Sequence, residues 1–263
     1  CRSVSRKCKR KKKINKCYIA DVGVCFAPWE MSLRLYDSKF KCKYNICLIH
    51  GDVRKVDMTS ILKYLKKFDK ILCVSESCAN VFKEVYPMLS DKVDFVYNFQ
   101  DEQKILKGSE EFEIEYENRF NLVSVSRLSE EKAHLRTLKV LKKLADEGYK
   151  FKWHIIGSGE MQYEINKFID INKMDDYCEL YGSKENPYPY MKAADLFLLG
   201  SYHEAAPMVF AESMLLGVPV LTTRTCSAEE LVGEYGFVCD NDEEGLYNEL
   251  KKYLKPNHSV AVV

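Results

Sequence analysis

Glu204 and Glu212 stand eight positions apart in a stretch where a strand gives way to a helix. An apolar run typical of a buried strand, 195–199, precedes Glu204, and Pro207 begins a predicted helix that carries Glu212. A helix N-terminus presents unpaired N–H groups and a partial positive charge, which suit a phosphate or diphosphate. Carboxylates beside it accept hydrogen bonds from neutral donors such as sugar hydroxyls. The stretch alone leaves a second interpretation open, in which Glu204 caps the helix and Glu212 lies on its solvated face.

Two cations, Arg127 and Lys132, lie five positions apart where the predicted strand 121–126 turns into a helix. Arginine offers a planar fork of donors and lysine a mobile point charge, and together they suit a diphosphate. The alternative is that both cations pair with Glu130, Glu131 or other surface acids. The pattern therefore indicates an anion site or a surface ion-pair cluster at this turn.

Further candidates follow the next predicted strands. Gly157 and Gly159 form a turn that permits close approach of backbone to a ligand, although such turns are common. Other polar segments follow later strands at 182–184 and 201–204. Because ligands of Rossmann-like sheets bind outside the carboxyl ends of the strands, we expect all these residues to share one rim.

Two series of alternating strands and helices predict an α/β fold. The first has strands at 18–26, 45–49, 70–74 and 93–97 and helices near 30–38, 57–66 and 76–86. The second has strands at 121–126, 151–156, 177–181, 195–199, 218–222 and 235–238 and helices at 131–146, 161–172, 188–193, 207–216 and 242–254. The acidic stretch 99–118 lacks periodicity and is interpreted as a linker or surface turn. We predict a tail at 1–16, a partial first domain at 17–115 and a second domain at 116–263.

The composition excludes several classes of protein. With 263 residues and 46% hydrophobic content the chain can bury a substantial core, and a net charge of +1 argues against a nucleic-acid binder. The eleven cysteines show no metal-binding spacing and often lie in apolar runs, so we expect buried thiols in a reducing cytosol. No apolar run is long enough to span a membrane, and no secretory signal opens the sequence.

The first sixteen residues are strongly basic and contain no acid. The cations are Arg2, Arg6, Lys7, Lys9, Arg10, Lys11, Lys12, Lys13 and Lys16. Such a tail is typical of a solvated, disordered end. It could equally hold the anionic inner face of a membrane, at about 1 kcal/mol per basic residue near the surface.

Five segments resemble, in order, the nucleotide-sugar domain of family 4 glycosyltransferases. They are SRLSEEK (126–132), IIGSGE (155–160), LYG (180–182), ADLFLL (194–199) and SYHEAAPMVFAE (201–212). The resemblance covers about 119–254 strongly and 17–100 more loosely. It implies the GT-B fold, in which two Rossmann-like domains face a cleft, here with an incomplete N-terminal domain.

The resemblance also implies roles for individual residues. Arg127 and Lys132 would hold the donor diphosphate, Glu204 would lie at the donor sugar, and Glu212 would bind the ribose hydroxyls. The remaining donor-binding positions would be Gly157, Gly159, Tyr181, Gly182, Ala205, Ala206, Pro207, Met208 and Val209. No metal or other cofactor is expected, since two cations and a helix N-terminus already neutralise the leaving group.

His50, in the segment CLIHGD (47–52), resembles the active-site histidine of this family, although a histidine at a strand end is often structural. Ala205 and Ala133 replace residues that are commonly glycine in the family, so either could crowd the donor. The first strands of the N-terminal domain and the helix that returns to it after Leu254 are missing relative to the family pattern. We therefore expect a truncated product or a partial reading frame.

The resulting hypothesis is a retaining glycosyltransferase that moves a hexose from a nucleoside diphosphate sugar, with a UDP-sugar as the expected donor. The acceptor would be a hydroxyl of a glycan or lipid-linked molecule in cell-surface polysaccharide synthesis, on the cytoplasmic side of the membrane. The alternative is a nucleotide-sugar-binding remnant without transfer activity. A dinucleotide-dependent oxidoreductase is disfavoured, because no Gly-x-Gly-x-x-Gly follows the opening strand of either series.

Overall fold

The computed structural model describes residues 17–254. A first parallel sheet has the order β1-β2-β3-β4, and a second parallel sheet has the order β10-β9-β8-β5-β6-β7. The first contains β1 (Tyr18–Cys25), β2 (Phe40–Ile49), β3 (Lys70–Cys73) and β4 (Val93–Phe95). The second contains β5 (Phe120–Val125), β6 (Phe151–Ile156), β7 (Cys178–Gly182), β8 (Leu196–Leu199), β9 (Val220–Thr223) and β10 (Gly236–Cys239).

Helices connect the strands, as parallel pairing requires. They are α1 (Glu30–Lys39), α2 (Leu62–Leu65), α3 (Glu76–Val85), α4 (Glu102–Gly108), α5 (His134–Asp146), α6 (Gln162–Asn172), α7 (Tyr188–Lys192), α8 (Met208–Leu215), α9 (Ala228–Val232) and α10 (Glu243–Tyr253). Short 3-10 turns occupy 59–61, 87–92, 130–132 and 233–235. None of the helices in the described part of the chain is long and apolar enough to cross a membrane.

The strand order of the second sheet creates a switch point between β5 and β8. After β5 the chain continues to β6 and β7 on one side, and it then returns to β8, β9 and β10 on the other. The loops that leave the carboxyl ends of β5 and β8 diverge here, and open α/β sheets bind ligands at such a crevice. The fold thus brings residues 126–133 next to residues 200–207.

The core of the second domain explains why these strands and helices form. Leu122 and Val123 of β5 are fully buried, because helices cover both faces of the sheet. Leu138, Leu141 and Leu144 form the buried face of α5, at the helical spacing seen in the sequence. Burying each leucine contributes roughly 2 kcal/mol, so this face fixes α5 against the sheet.

Several elements differ from the sequence-based prediction. β2 begins at Phe40, five residues before the predicted start, and the predicted helix 57–66 is a 3-10 turn followed by the single turn of α2. The helix α4 lies inside the stretch interpreted as a linker, and α9 was not predicted. In α4 only Ile105 and Gly108 are buried, so the sequence shows no apolar periodicity there.

The two sheets belong to units that contact each other through a carboxylate. Glu230, in α9, accepts hydrogen bonds from the backbone N–H groups of Glu76 (2.8 Å) and Ser77 (2.7 Å) at the start of α3, and from the hydroxyl of Tyr97 (2.8 Å). Burial raises the pKa of Glu230, but these hydrogen bonds outweigh it and hold the pKa below its ordinary value. The negative charge of Glu230 therefore stabilises the N-terminus of α3 across the interface.

Two sequence-based predictions concern the ends of the chain. The basic tail at 1–16 and any structure after Leu254 lie outside the described residues. The prediction of membrane contact by the tail therefore stays a prediction. Within the described range β1 is an edge strand, and most of its side chains are exposed.

Candidate functional site

An ion pair joins the two loops at the switch point. Lys132 lies in the 3-10 turn after β5, Glu204 lies in the loop after β8, and Nζ and Oε1 are 2.6 Å apart. The side chains are only 15% and 9% exposed, respectively. The hydroxyl of Ser201 donates to the same Oε1 at 2.6 Å. The structure thus brings together a cation and a carboxylate that the sequence placed on one rim.

A buried arginine holds the loop that carries Glu204. Arg136, in the first turn of α5, is 6% exposed and donates hydrogen bonds to the carbonyl oxygens of Gly200 (2.5 Å) and Asn241 (3.0 Å). Its guanidinium also lies 4.2 Å from the centre of the Tyr202 ring. Within residues 17–254 no carboxylate forms an ion pair with it, so carbonyl oxygens and an aromatic ring compensate its charge.

Sequence reasoning missed Arg136. The available signal was a cation in the first turn of the helix that follows β5, beside the candidate cations of the preceding loop. Such a position faces the carboxyl edge of the sheet, where ligand-binding residues collect. A positioning role for Arg136 could therefore be predicted from the sequence, but its carbonyl partners could not.

Arg127 does not share a partner with Lys132. Its side chain is 75% exposed, and Nη2 lies 2.6 Å from Oε1 of Glu131, four residues on. This arrangement matches the surface ion pair that the sequence left open for Arg127. Of the two cations, Lys132 contacts Glu204 and Arg127 contacts Glu131, and binding of one anion by both cations stays a prediction.

The two glycines after β6 serve close packing between loops. A Cβ at Gly157 would overlap the carbonyl oxygen of Ser126, and one at Gly159 would overlap that of Leu128. Gly157 also has φ of +150°. The backbone N–H of Gly157 donates to the carbonyl of Gly182 at 2.9 Å. The glycines therefore allow the loops after β5, β6 and β7 to pack closely into one rim. This packing explains why glycine occupies both positions without any ligand.

At the end of β7, Tyr181 and Gly182 flank the same rim. The Tyr181 hydroxyl lies 3.1 Å from Nδ1 of His154, and burial raises the pKa of Tyr181 above its ordinary value. Gly182 has φ of +67°, in the left-handed region that favours glycine. The hydroxyls of Ser158 and Ser183 are 2.7 Å apart and connect this rim to the preceding loop.

The N-terminus of α8 has no side-chain cap. Pro207 is the N-cap residue, so Glu204 does not cap the helix, and this excludes the structural alternative for Glu204. No described residue accepts a hydrogen bond from the backbone N–H of Met208 or Val209. Ala205 and Ala206 join Glu204 to this helix, and Asn98 donates to the carbonyl of Ala206 at 3.0 Å. The uncapped N–H groups have the donors and partial positive charge that suit an anion.

Glu212 is half-buried in α8 and forms no ion pair or hydrogen bond through its side chain with any residue in the described range. Burial raises the pKa of its carboxyl above the ordinary value. An unpaired carboxylate in this setting is poorly solvated and is free to accept hydrogen bonds. Glu212 is therefore not a fully solvated surface acid, which was the alternative interpretation.

Glu204 and His50 line two different cavities. Glu204 lines a cavity of about 710 Å³ whose other walls include Asp52 and Arg54 of the first domain and Arg224 of the second. His50 is exposed and lines a different cavity of about 480 Å³ among mostly apolar residues, including Phe26, Trp29 and Met58. The structure therefore places Glu204 in a cleft between the domains and His50 in a neighbouring apolar cavity.

The part of the chain from 17 to 254 contains no group of three His, Cys, Asp or Glu side chains that could hold a metal ion. The prediction of a metal-independent site is left as a prediction.

Comparison with known proteins identifies the family. The sequence model for glycosyl transferases group 1 matches residues 109–260, more than half of the chain. The chain belongs to this family.

Curated relatives include an uncharacterised glycosyltransferase of Methanocaldococcus jannaschii, 25% identical over 61% of this chain and 41% of the relative. Another is the N-acetylgalactosamine-N,N'-diacetylbacillosaminyl-diphospho-undecaprenol 4-alpha-N-acetylgalactosaminyltransferase of Campylobacter jejuni, 27% identical over 72% of this chain and 52% of the relative. The chain thus spans about half the length of these two glycosyltransferases.

Among solved structures, Anabaena HepE in complex with UDP-glucose is similar, with a TM-score of 0.70 and 18% identity. The match covers 88% of this chain and 68% of HepE. A likeness at this identity establishes the fold, and the predicted GT-B class with two parallel-sheet domains is confirmed.

Proposed function

We propose that this glycosyltransferase chain is retaining and transfers a hexose from a UDP-sugar to a hydroxyl of a glycan or lipid-linked acceptor. The observation that carries the proposal is the Lys132–Glu204 pair at the switch point, beside the cavity between the domains. The cation and the uncapped helix N-terminus suit the diphosphate, which is the leaving group, and the carboxylate suits the sugar hydroxyls.

Each side chain keeps bonding capacity for the donor. Lys132 uses one of its three N–H donors on Glu204, which leaves two for diphosphate oxygens. Glu204 receives Lys132 and Ser201 on Oε1, and Oε2 has no partner within residues 17–254. In the proposed complex Oε2 accepts a hydrogen bond from a sugar hydroxyl, and Glu212 accepts the ribose hydroxyls.

Transfer in this proposal breaks the bond between C1 of the sugar and the diphosphate oxygen. The acceptor oxygen forms a new bond to C1 on the same face, and its proton passes to the departing diphosphate. Lys132, Arg127 and the N–H groups of Met208 and Val209 stabilise the charge that grows on the diphosphate. They therefore act more strongly in the transition state than in the ground state. In this scheme Arg127 leaves Glu131 for the diphosphate. His50 lines a different cavity in this structure, so its contact with the donor sugar requires a movement of the first domain toward Glu204.

The donor and acceptor classes rest on what relatives and neighbours bind. HepE was crystallised with UDP-glucose, and the Campylobacter jejuni relative is named for an undecaprenol-linked acceptor. We extend both to this chain as proposals, with polysaccharide synthesis at the cytoplasmic face of the membrane as the setting. The nine cysteines of the described range are all free, which fits a reducing compartment.

A transfer assay tests the proposal. The chain is incubated with UDP-glucose and other UDP- and GDP-sugars plus a simple glycoside acceptor, and UDP release and the anomeric configuration of the product are followed by NMR. We expect release of UDP and a product with the anomeric configuration of the donor. Lys132→Ala should reduce turnover by about 100-fold or more, because removal of one transition-state contact has effects of that size.

The matched control is Lys139→Ala, an exposed lysine of α5 that pairs only loosely with Glu243. Its turnover should equal that of the wild type. An inverted product would overturn the retaining mechanism. Donor binding without any turnover would instead support the binding remnant as the function of this chain.

A further inference from the structure

Two cysteines from different domains face each other across the interface. The sulfur atoms of Cys78 and Cys226 are 3.3 Å apart, although 148 positions separate them in the sequence. Cys78 lies in the first turn of α3 and is 2% exposed. Cys226 lies between β9 and α9, is partly exposed and lines the 710 Å³ cavity together with Glu204.

We propose that Cys78 and Cys226 form a thiol–disulfide exchange site that links the two domains covalently when it reacts with a low-molecular-weight disulfide. The pair adjoins the donor site, since Cys226 lines the same cavity as Glu204, but formation of the bond does not depend on the proposed transferase function.

The backbone around the pair is already held in place. Glu230 binds the N–H groups of Glu76 and Ser77, the two residues before Cys78, at 2.8 and 2.7 Å. Ser75 accepts a hydrogen bond from the N–H of Cys78 at 3.1 Å. Since a disulfide bond is about 2.05 Å long, the sulfurs need to approach by only about 1.3 Å. Glu230 thus fixes the backbone at the start of α3, and the approach of about 1.3 Å is the movement that formation of the bond requires.

The electrostatic setting favours reaction at Cys78. A thiol in the first turn of a helix is stabilised as thiolate by the helix dipole. Sharing a proton with Cys226 lowers the pKa of Cys78, and the same contact raises the pKa of Cys226. Cys226 is nevertheless the sulfur that a reactant in the cavity can reach. Cys226 is therefore the thiol that the reactant reaches first, and Cys78 is the thiolate that attacks second.

The exchange proceeds in two balanced steps. The proton of Cys226 passes to the Cys78 thiolate, and the Cys226 sulfur bonds to one sulfur of the reactant R–S–S–R as its S–S bond breaks and one R–S⁻ leaves. This R–S⁻ then takes the proton from Cys78, which is a thiolate again. The thiolate of Cys78 then attacks the sulfur of Cys226, and the second R–S⁻ leaves and is protonated. The two cysteine thiols are oxidised to a disulfide while the reactant is reduced to two thiols.

The bond would fix the width of the cleft. Cys78 Sγ also lies 3.8 Å from the carbonyl oxygen of Ala205, the residue after Glu204. Residues of the first domain, such as Asp52, face Glu204 across the cavity beside this pair. Any opening of the two domains for entry of a ligand is therefore restricted in the oxidised protein and restored by reduction.

Peptide mapping tests the bond directly. The full chain is equilibrated with mixtures of oxidised and reduced glutathione, remaining thiols are alkylated, and tryptic peptides are analysed by mass spectrometry. Cys78 lies in peptide 71–83 with Cys73, and Cys226 lies in peptide 225–251 with Cys239. We expect the two peptides to be linked, with Cys73 and Cys239 alkylated, and the link to disappear after dithiothreitol treatment.

Two matched variants complete the test. Cys226→Ser should abolish the link, and Cys239→Ser, which removes the other cysteine of the same peptide, should retain it. The wild-type map decides the question even if a variant fails to fold. Glutathione attached to Cys226 without a link to Cys78, or links distributed equally over Cys73 and Cys239, would overturn the proposal. Because no nucleotide sugar is used, failure here is separate from failure of the proposed function.

Discussion

The Lys132–Glu204 pair allows a quantitative prediction about stability. Lys132→Met removes the cation and leaves a carboxylate that is 9% exposed with only the Ser201 hydroxyl as a partner. Removing one partner of a buried pair costs about 3 to 5 kcal/mol, and a surface pair is worth at most about 1 kcal/mol. Since Lys132 is 15% exposed, some water reaches the pair. We expect an intermediate loss of about 2 to 3 kcal/mol of unfolding free energy.

A double-mutant cycle isolates the interaction energy between Lys132 and Glu204. Lys132→Met, Glu204→Gln and the double variant are unfolded in guanidinium chloride in a Trp29→Phe background, so that the fluorescence followed is that of Trp153. Trp153 is buried in the second domain, so its fluorescence reports that domain. Because the double variant leaves no uncompensated charge, it should recover most of the loss, with a coupling energy of about 2 kcal/mol.

The matched control is the exposed Arg127–Glu131 pair, whose side chains are 75% and 46% exposed. Its cycle, with Arg127→Met and Glu131→Gln, should give a coupling of about 0.5 kcal/mol or less. Equal coupling energies in the two cycles would refute the reasoning, because they would show that water screens Lys132 and Glu204 as well as it screens a surface pair.

Three further predictions concern the same domain. Because burial raises the pKa of Glu212, the folded state holds its proton above pH 4.5, where the unfolded chain has lost it, so stability falls as pH rises through that window. Glu212→Gln should therefore stabilise the free protein at neutral pH in denaturant unfolding while weakening donor binding. Ala133 adopts a left-handed conformation with φ of +53°, and Ala133→Gly should raise stability by about 1 kcal/mol in the same assay. Burial lowers the pKa values of His134 and His154 to about 4. Since the unfolded chain protonates both near pH 6.5, stability should fall between pH 6.5 and 4, by on the order of 3 kcal/mol per histidine, in unfolding curves recorded across that range.

Each of these predictions has an outcome that contradicts it. Lower stability of Glu212→Gln at neutral pH would show that a favourable contact holds the carboxylate. A destabilised Ala133→Gly variant would mean that the methyl group contributes more packing energy than the backbone strain costs. A His154→Gln variant with an unchanged pH profile would remove His154 from the acid transition, and Lys139→Ala again serves as a neutral reference.

The α/β character could be read from the sequence because several strands of the second domain are rich in buried apolar residues. All four residues of β8, for example, are buried, so the run 195–199 is unambiguous. Shorter and more polar elements could not be recognised from the sequence. α4 buries only Ile105 and Gly108, and the first residues of β2 alternate with exposed lysines and pair only with the exposed edge strand β1. In such segments the tertiary contacts, rather than the local pattern, decide the structure.

The site could be predicted as a set of residues on one rim but not as a set of contacts. That Lys132 and Glu204 meet follows from the strand order, which brings β5 beside β8, and no local pattern encodes that order. The choice of Glu131 as the partner of Arg127 depends on loop geometry after β5. The contact between Cys78 and Cys226 depends on the arrangement of two domains. The apolar runs around the cysteines predict only buried thiols, whereas Cys226 is partly exposed.

The central claim is that the carboxyl edge of β5 and β8 binds a nucleoside diphosphate. Isothermal titration with UDP and UDP-glucose, at fixed salt and with Lys132→Met and Lys139→Ala beside the wild type, tests it most directly. We predict binding by the wild type and Lys139→Ala, and affinity about 10- to 100-fold lower for Lys132→Met, since a charge-assisted hydrogen bond contributes about 1.5 to 3 kcal/mol. Equal affinity of Lys132→Met and the wild type, or no heat with either ligand at millimolar concentration, would contradict the account.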